Sequence, residues 1–267
     1  MSGTAICTDS SALLPADVAD RFGIEVVPIA IALGGQPFDE HAQPIDDFYE
    51  RLSDGVEVTT SQPSPSDFAD AYARLAARGV RRVLSIHLDA RVSGTIASAE
   101  LAAREAPIRV SVVDARTVSF GVGVCVRAAA EAIADGASAD DAVAAATRLG
   151  ATMRNVFVAR GGPGGRVSVS PGWAVLTFAN GATQPVATSD SVDQALDTMA
   201  PEILRGETPI QAAVGHAGTV VKASADALAD VLARSPLVLG VERYRVGASV
   251  GAHTGPLCFG GFWWPAV

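Results

Sequence analysis

The stretch RVLSIHLDARVSGTIASAELAAR (Arg82–Arg104) carries the change of period that decides the fold. Residues Arg82 to Leu88 read as a strand, and a helix of small and apolar residues follows from about Ser93 to Arg104. The same alternation extends in both directions. Before it, Ala5 to Thr8 reads as a strand, Asp9-Ser10-Ser11 as a turn, Pro15 to Phe22 as a helix and Glu25 to Leu33 as a strand. Helices follow at Asp46 to Leu52 and at Ser64 to Ala77, the latter with Pro65 in its first turn and Phe68, Tyr72 and Leu75 on one stripe. After it come a strand at Ile108 to Val113 and helices at Gly121 to Asp135 and Ala139 to Arg148. Strands separated by helices predict a mostly parallel sheet with helices on both faces.

The pattern changes near residue 150. Asn155 to Val158 reads as a strand, and RGGPGGR (Arg160–Arg166) is too rich in glycine to be regular. Ala174 to Phe178 and Gln184 to Thr188 read as strands joined through an Asn180-Gly181 hairpin turn. A helix over 193–204, a strand at Gln211 to Val214, a helix at Val221 to Ala233 and a strand at Leu237 to Val241 complete a second unit. The expected organisation is an N-terminal α/β domain over 1–150 and a smaller α/β C-terminal domain over 151–267.

The 267 residues are 49% hydrophobic and 18% charged, with a net charge of −9, a composition that excludes disorder. The mean hydropathy of +0.28 is high, yet no uninterrupted apolar run reaches the roughly 18 residues of a membrane span. The acidic balance and scattered arginines argue against nucleic acid. The amino terminus MSGTAICTDSS carries neither the basic segment nor the apolar core of a signal peptide, so a cytoplasmic location is expected. Cys7, Cys125 and Cys258 are odd in number and lie in apolar runs, as buried reduced thiols would. The spacing of histidines and cysteines fits no metal site, and the glycine segments match no P-loop or dinucleotide fingerprint.

Small polar residues gather where strands end: Thr8-Asp9-Ser10-Ser11, Thr60-Ser61-Gln62-Pro63-Ser64, Ser93-Gly94-Thr95 and Gly251-Ala252-His253-Thr254-Gly255-Pro256. In open α/β sheets ligands sit beyond the carboxyl ends of strands. Ser93-Gly94-Thr95 opens a helix, where free N–H groups and hydroxyls suit an anion. Each segment also has a plain structural reading, with Ser, Thr or Asp9 as helix caps, His253 as a turn residue and His87 as a satisfied strand residue. Ser93, His253 and Asp9 could alternatively form a hydrolase triad, although Val-Ser-Gly-Thr is not a G-x-S-x-G elbow.

Taken together, ICTDSSALLP (Ile6–Pro15), VVPIAIALGGQPFDE (Val26–Glu40), TTSQPSPSDFADAY (Thr59–Tyr72), LSIHLDARVSGTIASAELAA (Leu84–Ala103), VVDARTVSFGVG (Val112–Gly123) and VGAHTGP (Val250–Pro256) resemble the DegV family of bacterial fatty-acid-binding proteins over nearly the whole chain. The resemblance implies a two-domain α/β fold with a fatty acid held between the domains and no catalytic residue, metal or cofactor in the chain itself. It implies a lipid-binding subunit that presents the carboxylate to a separate fatty acid kinase, releasing acyl phosphate for phospholipid synthesis. Carried over by motif, the carboxylate partners are Thr60, Ser61, Ser93, Gly94, Thr95 and His253, and Arg166 faces the kinase. The chain departs from the family pattern in three places. The region after Arg166 is shortened, QPVATSDSVD (Gln184–Asp193) lacks a basic cluster, and Asp89-Ala90-Arg91 replaces a Ser-Ser-x stretch ahead of Ser93.

The physics fits that implication. Burying an acyl chain yields about 0.8 kcal/mol per methylene, roughly 10 kcal/mol for sixteen carbons before ordering costs. The carboxylate can follow only if donors receive it. Two alternatives are a serine hydrolase or acyltransferase using Ser93, and a degenerate member acting as a lipid-sensing interaction module.

Overall fold

The computed structural model describes residues 3–40, 42–159 and 172–266. The chain begins with β1 (Thr4–Asp9), α1 (Ala16–Phe22) and β2 (Glu25–Val27), continues through β3 (Ala30–Leu33), β4 (Gln36–Pro37), α2 (Ile45–Ser53) and β5 (Val58–Ser61), and then runs α3 (Pro65–Ala77), β6 (Arg82–His87), α4 (Thr95–Ala103), β7 (Arg109–Asp114), α5 (Phe120–Ala134) and α6 (Ala139–Thr152). The remainder is β8 (Arg154–Ala159), β9 (Trp173–Ala179), β10 (Ala182–Ser189), α7 (Val192–Ile203), β11 (Ile210–His216), α8 (Lys222–Ala233), β12 (Val238–Arg245), α9 (Ala248–Thr254) and β13 (Phe259–Pro265). Two compact units result: residues 1–30 with 61–151, and residues 31–60 with 152–267.

The first unit is built on a parallel sheet of order β2-β1-β6-β7. Alternation sorts its side chains onto two faces. Ile6, Leu84 and Ile86 pack with Val122, Cys125, Val126 and Ala129 of α5. Cys7 and Val83 pack the other way, with Phe68, Tyr72 and Leu75 of α3 and Ala99 of α4. The strand pattern thus buries both faces, as the near-continuous apolar runs of a parallel sheet require. This is the expected α/β architecture.

The second unit holds a mixed sheet of order β10-β9-β8-β13-β11-β12, in which β11 and β12 run parallel and the other neighbours antiparallel. α7 and α8 contribute Met199, Ile203, Leu228 and Leu232 to one core against Val156, Val158 and Val214. A separate core joins Ile31, Leu33, Phe38, Phe48, Tyr49 and Leu52 to Val246, Ala248, Ala252 and Cys258. Residues 31–60 therefore belong with the second unit, whereas the reading from sequence placed them in the N-terminal domain. The apolar faces of β3 and α2 pack with Val246, Ala248, Ala252 and Cys258, more than 180 residues downstream, a pairing that no local pattern encodes.

Three local differences have clear causes. The single strand read over Glu25–Leu33 is two strands in different sheets, divided at Pro28, whose missing N–H cannot continue a ladder. GAHTGP is not a turn alone, since residues 248–254 form α9. Phe259–Pro265, which reads as no element, is an interior strand of the six-stranded sheet. A Cβ at Gly260 would stand 2.5 Å from the Val156 carbonyl oxygen, so glycine is what lets β8 approach. The hairpin falls where Asn180-Gly181 predicts it, with φ of 53° and 79° at the two positions.

Candidate functional site

In the first unit, β6 ends at His87 and the chain reaches Ser93-Gly94-Thr95 at the start of α4. The structure brings these three residues together, hydrogen-bonded to one another and to Gln62. Ser93 Oγ accepts the Thr95 N–H at 3.2 Å and lies 2.8 Å from Thr95 Oγ1, while Thr95 itself is buried. The Gly94 N–H donates to Gln62 Oε1 at 3.1 Å, and Gln62 Nε2 points to Ser98 Oγ at 3.5 Å. A Cβ on Gly94 would meet Gln62 Oε1 at 2.3 Å, so glycine is what allows the amide to seat there. The side-chain oxygen of Gln62 thus occupies the position an anion would take at this helix start.

TSQPS is divided by task. Thr60 lies on β5 and Ser61 ends that strand with an exposed side chain. Ser64 caps α3: its Oγ accepts the Asp67 N–H at 3.2 Å, and Asp67 Oδ2 accepts the Ser64 N–H at 2.7 Å, a reciprocal capping box. In the second unit, Thr60 Oγ1 lies 3.0 Å from Nε2 of His253, which sits near the end of α9. Arg166 lies outside the described residues.

Asp89, the acid ahead of Ser93, is closed off locally. Its carboxylate accepts from Arg91 Nε at 2.9 Å, Arg91 Nη2 at 2.6 Å and the Arg91 backbone N–H at 2.8 Å. The hydrogen bonds from Arg91 hold the Asp89 carboxyl below its usual range. A carboxyl lowered on folding stabilises the protein above its unfolded value, near pH 4, and loses that contribution as pH falls through the lower folded value. Asp89→Asn is therefore expected to lower the melting temperature at pH 6 and leave it unchanged near pH 2. An equal drop at both values would show that packing, not charge, is what the residue supplies.

The hydrolase alternative loses its acid. Asp9 Oδ1 accepts from the Ser11 N–H at 3.1 Å and from the Ser11 hydroxyl, and Oδ2 accepts from His87 Nδ1–H at 2.8 Å. His87 Nε2 lies 2.7 Å from Ser85 Oγ, which lies 2.9 Å from Tyr72 Oη. Asp9, Ser85 and His87 are completely buried. Both carboxylate oxygens of Asp9 are thus committed to a buried network with Ser11 and His87. Burial also raises the phenol of Tyr72 above its ordinary value and pushes the Cys7, Cys125 and Cys258 thiols up to about 12, keeping these groups neutral. Among the described residues no cluster of His, Cys, Asp or Glu could hold a metal ion, and no helix is long and apolar enough to cross a membrane.

A four-stranded parallel unit and a six-stranded mixed unit, with TSQPS running from β5 to the cap of α3, SGT at the start of α4 and GAHTGP along the end of α9, define the class: a two-unit α/β protein. The chain belongs to the DegV family, whose model, described as "Uncharacterised protein, DegV family", matches residues 3–161. A DegV domain-containing protein of Streptomyces coelicolor is 36% identical, with 94% of this chain and 95% of that protein covered. A structure described as fatty acid binding of a DegV family protein from Thermus thermophilus superposes with a TM-score of 0.88 at 30% identity, covering 98% of this chain and 99% of the other. That of DegV from Bacillus subtilis, described as a fatty acid binding protein, gives 0.86 at 25% identity over the whole of both chains.

Gln62 holds Gly94, and Glu40 and Tyr49 hold the entry to the helix that carries His253, yet the reading from sequence gave them no role. Gln62 was legible as part of TSQPS. Glu40 and Tyr49 carry no local signal, because what they hold lies about 200 residues away.

Proposed function

We propose that this protein binds a long-chain fatty acid and presents its carboxylate to a separate fatty acid kinase. The observation that supports it best is full-length likeness to two solved proteins described as fatty-acid-binding, at 25–30% identity and TM-scores of 0.86–0.88. In this reading the acyl chain takes up part of the apolar surplus, and hydroxyl, amide and imidazole groups receive the carboxylate: Thr60, Ser61, Ser93, Gly94, Thr95 and His253. Gln62 Oε1 gives up the Gly94 N–H when the carboxylate arrives, exchanging one oxygen acceptor for a charged one. With no arginine forked onto both oxygens, the carboxylate stays nucleophilic, so that it attacks the terminal phosphorus of ATP held by the kinase. The acyl phosphate forms as ADP leaves, and it feeds phospholipid synthesis. Arg166 is assigned to the face that meets the kinase. The chain works in the cytoplasm, supplies no catalytic residue and needs no metal or cofactor; its ligand is the fatty acid.

Native mass spectrometry of the protein purified from a bacterial host tests this. The expected spectrum shows an added mass of one long-chain fatty acid, released on denaturation. Ser93→Ala and His253→Ala should each weaken affinity for palmitate by about 1–3 kcal/mol, or about 5- to 150-fold, since each removes a donor to a charged group. Protein that neither carries nor takes up palmitate would overturn the reading. Acyl phosphate formation on adding ATP and a fatty acid kinase tests the second half separately.

A further inference from the structure

His253 stands on a helix that cannot place itself. α9 has seven residues, too few to persist alone, and its N-cap, Gly247, offers no side-chain acceptor. The acceptor comes from elsewhere in the same unit. Glu40 Oε2 accepts the Ala248 N–H at 2.9 Å and is reached by the Ser249 N–H at 3.4 Å. Around this cap the 31–60 segment also holds the chain that leads into the helix. Tyr49 Oη donates to the Val246 carbonyl at 2.9 Å, and a Cβ on Gly251 would meet the Tyr49 hydroxyl oxygen at 2.4 Å. Asp46 pairs with Arg245, whose guanidinium lies 5.3 Å from the Tyr49 ring centroid. Thr60 completes the set at His253 Nε2.

Tyr49 and Asp46 hold the strand leading into α9, and Thr60 meets the imidazole at its far end. The only anchor among these on the first turn is Glu40, and a carboxylate there opposes the partial positive charge of the helix start. We infer that Glu40 is a positioning residue for His253: its carboxylate caps α9 and sets the orientation that brings the imidazole to Thr60. This inference rests on the fatty-acid reading only for its consequence, since the positioning itself is independent of any ligand.

The test uses the full chain with 15N-labelled histidine. In the unaltered protein, Thr60→Val is expected to shift the His253 Nε2 resonance, reporting the Thr60 contact. In Glu40→Ala the resonance should already lie where Thr60→Val puts it, and adding Thr60→Val should move it no further. Glu40→Gln, which keeps an acceptor oxygen, should restore the original resonance. Palmitate affinity should fall in Glu40→Ala by the same factor as in His253→Ala, and the double variant should lose no more than either alone. An unchanged His253 resonance in folded Glu40→Ala, or losses that multiply in the double variant, would overturn the inference. If alanine prevents folding, Glu40→Asp withdraws the carboxylate by one methylene: a shifted resonance supports the inference and an unshifted one refutes it. Should Glu40→Ala move the resonance while His253→Ala leaves palmitate affinity unchanged, the positioning stands and His253 is not a carboxylate donor.

Discussion

His87→Ala is expected to cost about 3–5 kcal/mol of stability. The imidazole bridges two fully buried side chains, each of which loses a partner without it. On one side it donates to Asp9, whose carboxylate is fully shielded from water and otherwise receives only Ser11. On the other it meets Ser85, which is tied in turn to Tyr72 of α3. Alternation puts Cys7 and Val83 on the α3 face, and the next odd-numbered positions of the same strands are Asp9, Ser85 and His87. Removing the ring leaves a carboxylate short of a donor and a cavity beside Phe68, whose ring lies edge-on to the imidazole at 5.0 Å. Urea denaturation of the variant beside the unaltered protein measures the loss. Asp9→Ala should cost a comparable amount, and the double variant less than the sum, because the two residues act as one unit. A loss below about 1 kcal/mol for His87→Ala would mean that water or a neighbour replaces the imidazole at no cost, contrary to the complete burial of the pair.

Phe48→Ala should cost about 3–5 kcal/mol as well, and its effect should reach the proposed ligand residues. Phe48 is wholly buried on α2, with ring centroids 5.3 Å from Phe38 and 5.2 Å, edge-on, from Tyr49. It packs in the core that α2 shares with Val246, Ala248 and Ala252, the residues leading into and along α9. Emptying that position loosens Tyr49, whose hydroxyl holds the Val246 carbonyl, and with it the helix bearing His253. Phe48→Leu, which refills most of the volume, should cost only about 1–2 kcal/mol. Denaturation midpoints give the stability term and palmitate titration the functional one. The expected outcome is a weakening of palmitate binding by Phe48→Ala that Phe48→Leu largely spares. Unchanged affinity in a destabilised Phe48→Ala would separate the core of the second unit from ligand binding.

The residues proposed to bind ligand divide in the same way as these two predictions. Ser93-Gly94-Thr95 could be read directly, because a strand, a short polar loop and a helix start are all encoded within about twenty residues. The network of Asp9, Ser85, His87 and Tyr72 was half legible: strand period puts Ser85 and His87 on one face, but Asp9 lies 78 residues from His87. A capping reading of Asp9 is accurate as far as it goes, since Ser11 N–H does donate to it. Nothing local announces the histidine on its other oxygen.

By itself, then, the sequence determined the alternating strands and helices of the first unit, the helix start at Ser64-Pro65, the Asn180-Gly181 hairpin and the motifs that mark the family. All of these depend on residues within one or two turns or one strand of each other, where propensity, period and backbone chemistry act. Only the tertiary structure decided that residues 31–60 join the second unit, that GAHTGP is helical, and that Glu40 caps that helix from 208 positions away. α9 is too short to be stable from its own hydrogen bonds, so its existence depends on partners that the chain reaches only after folding.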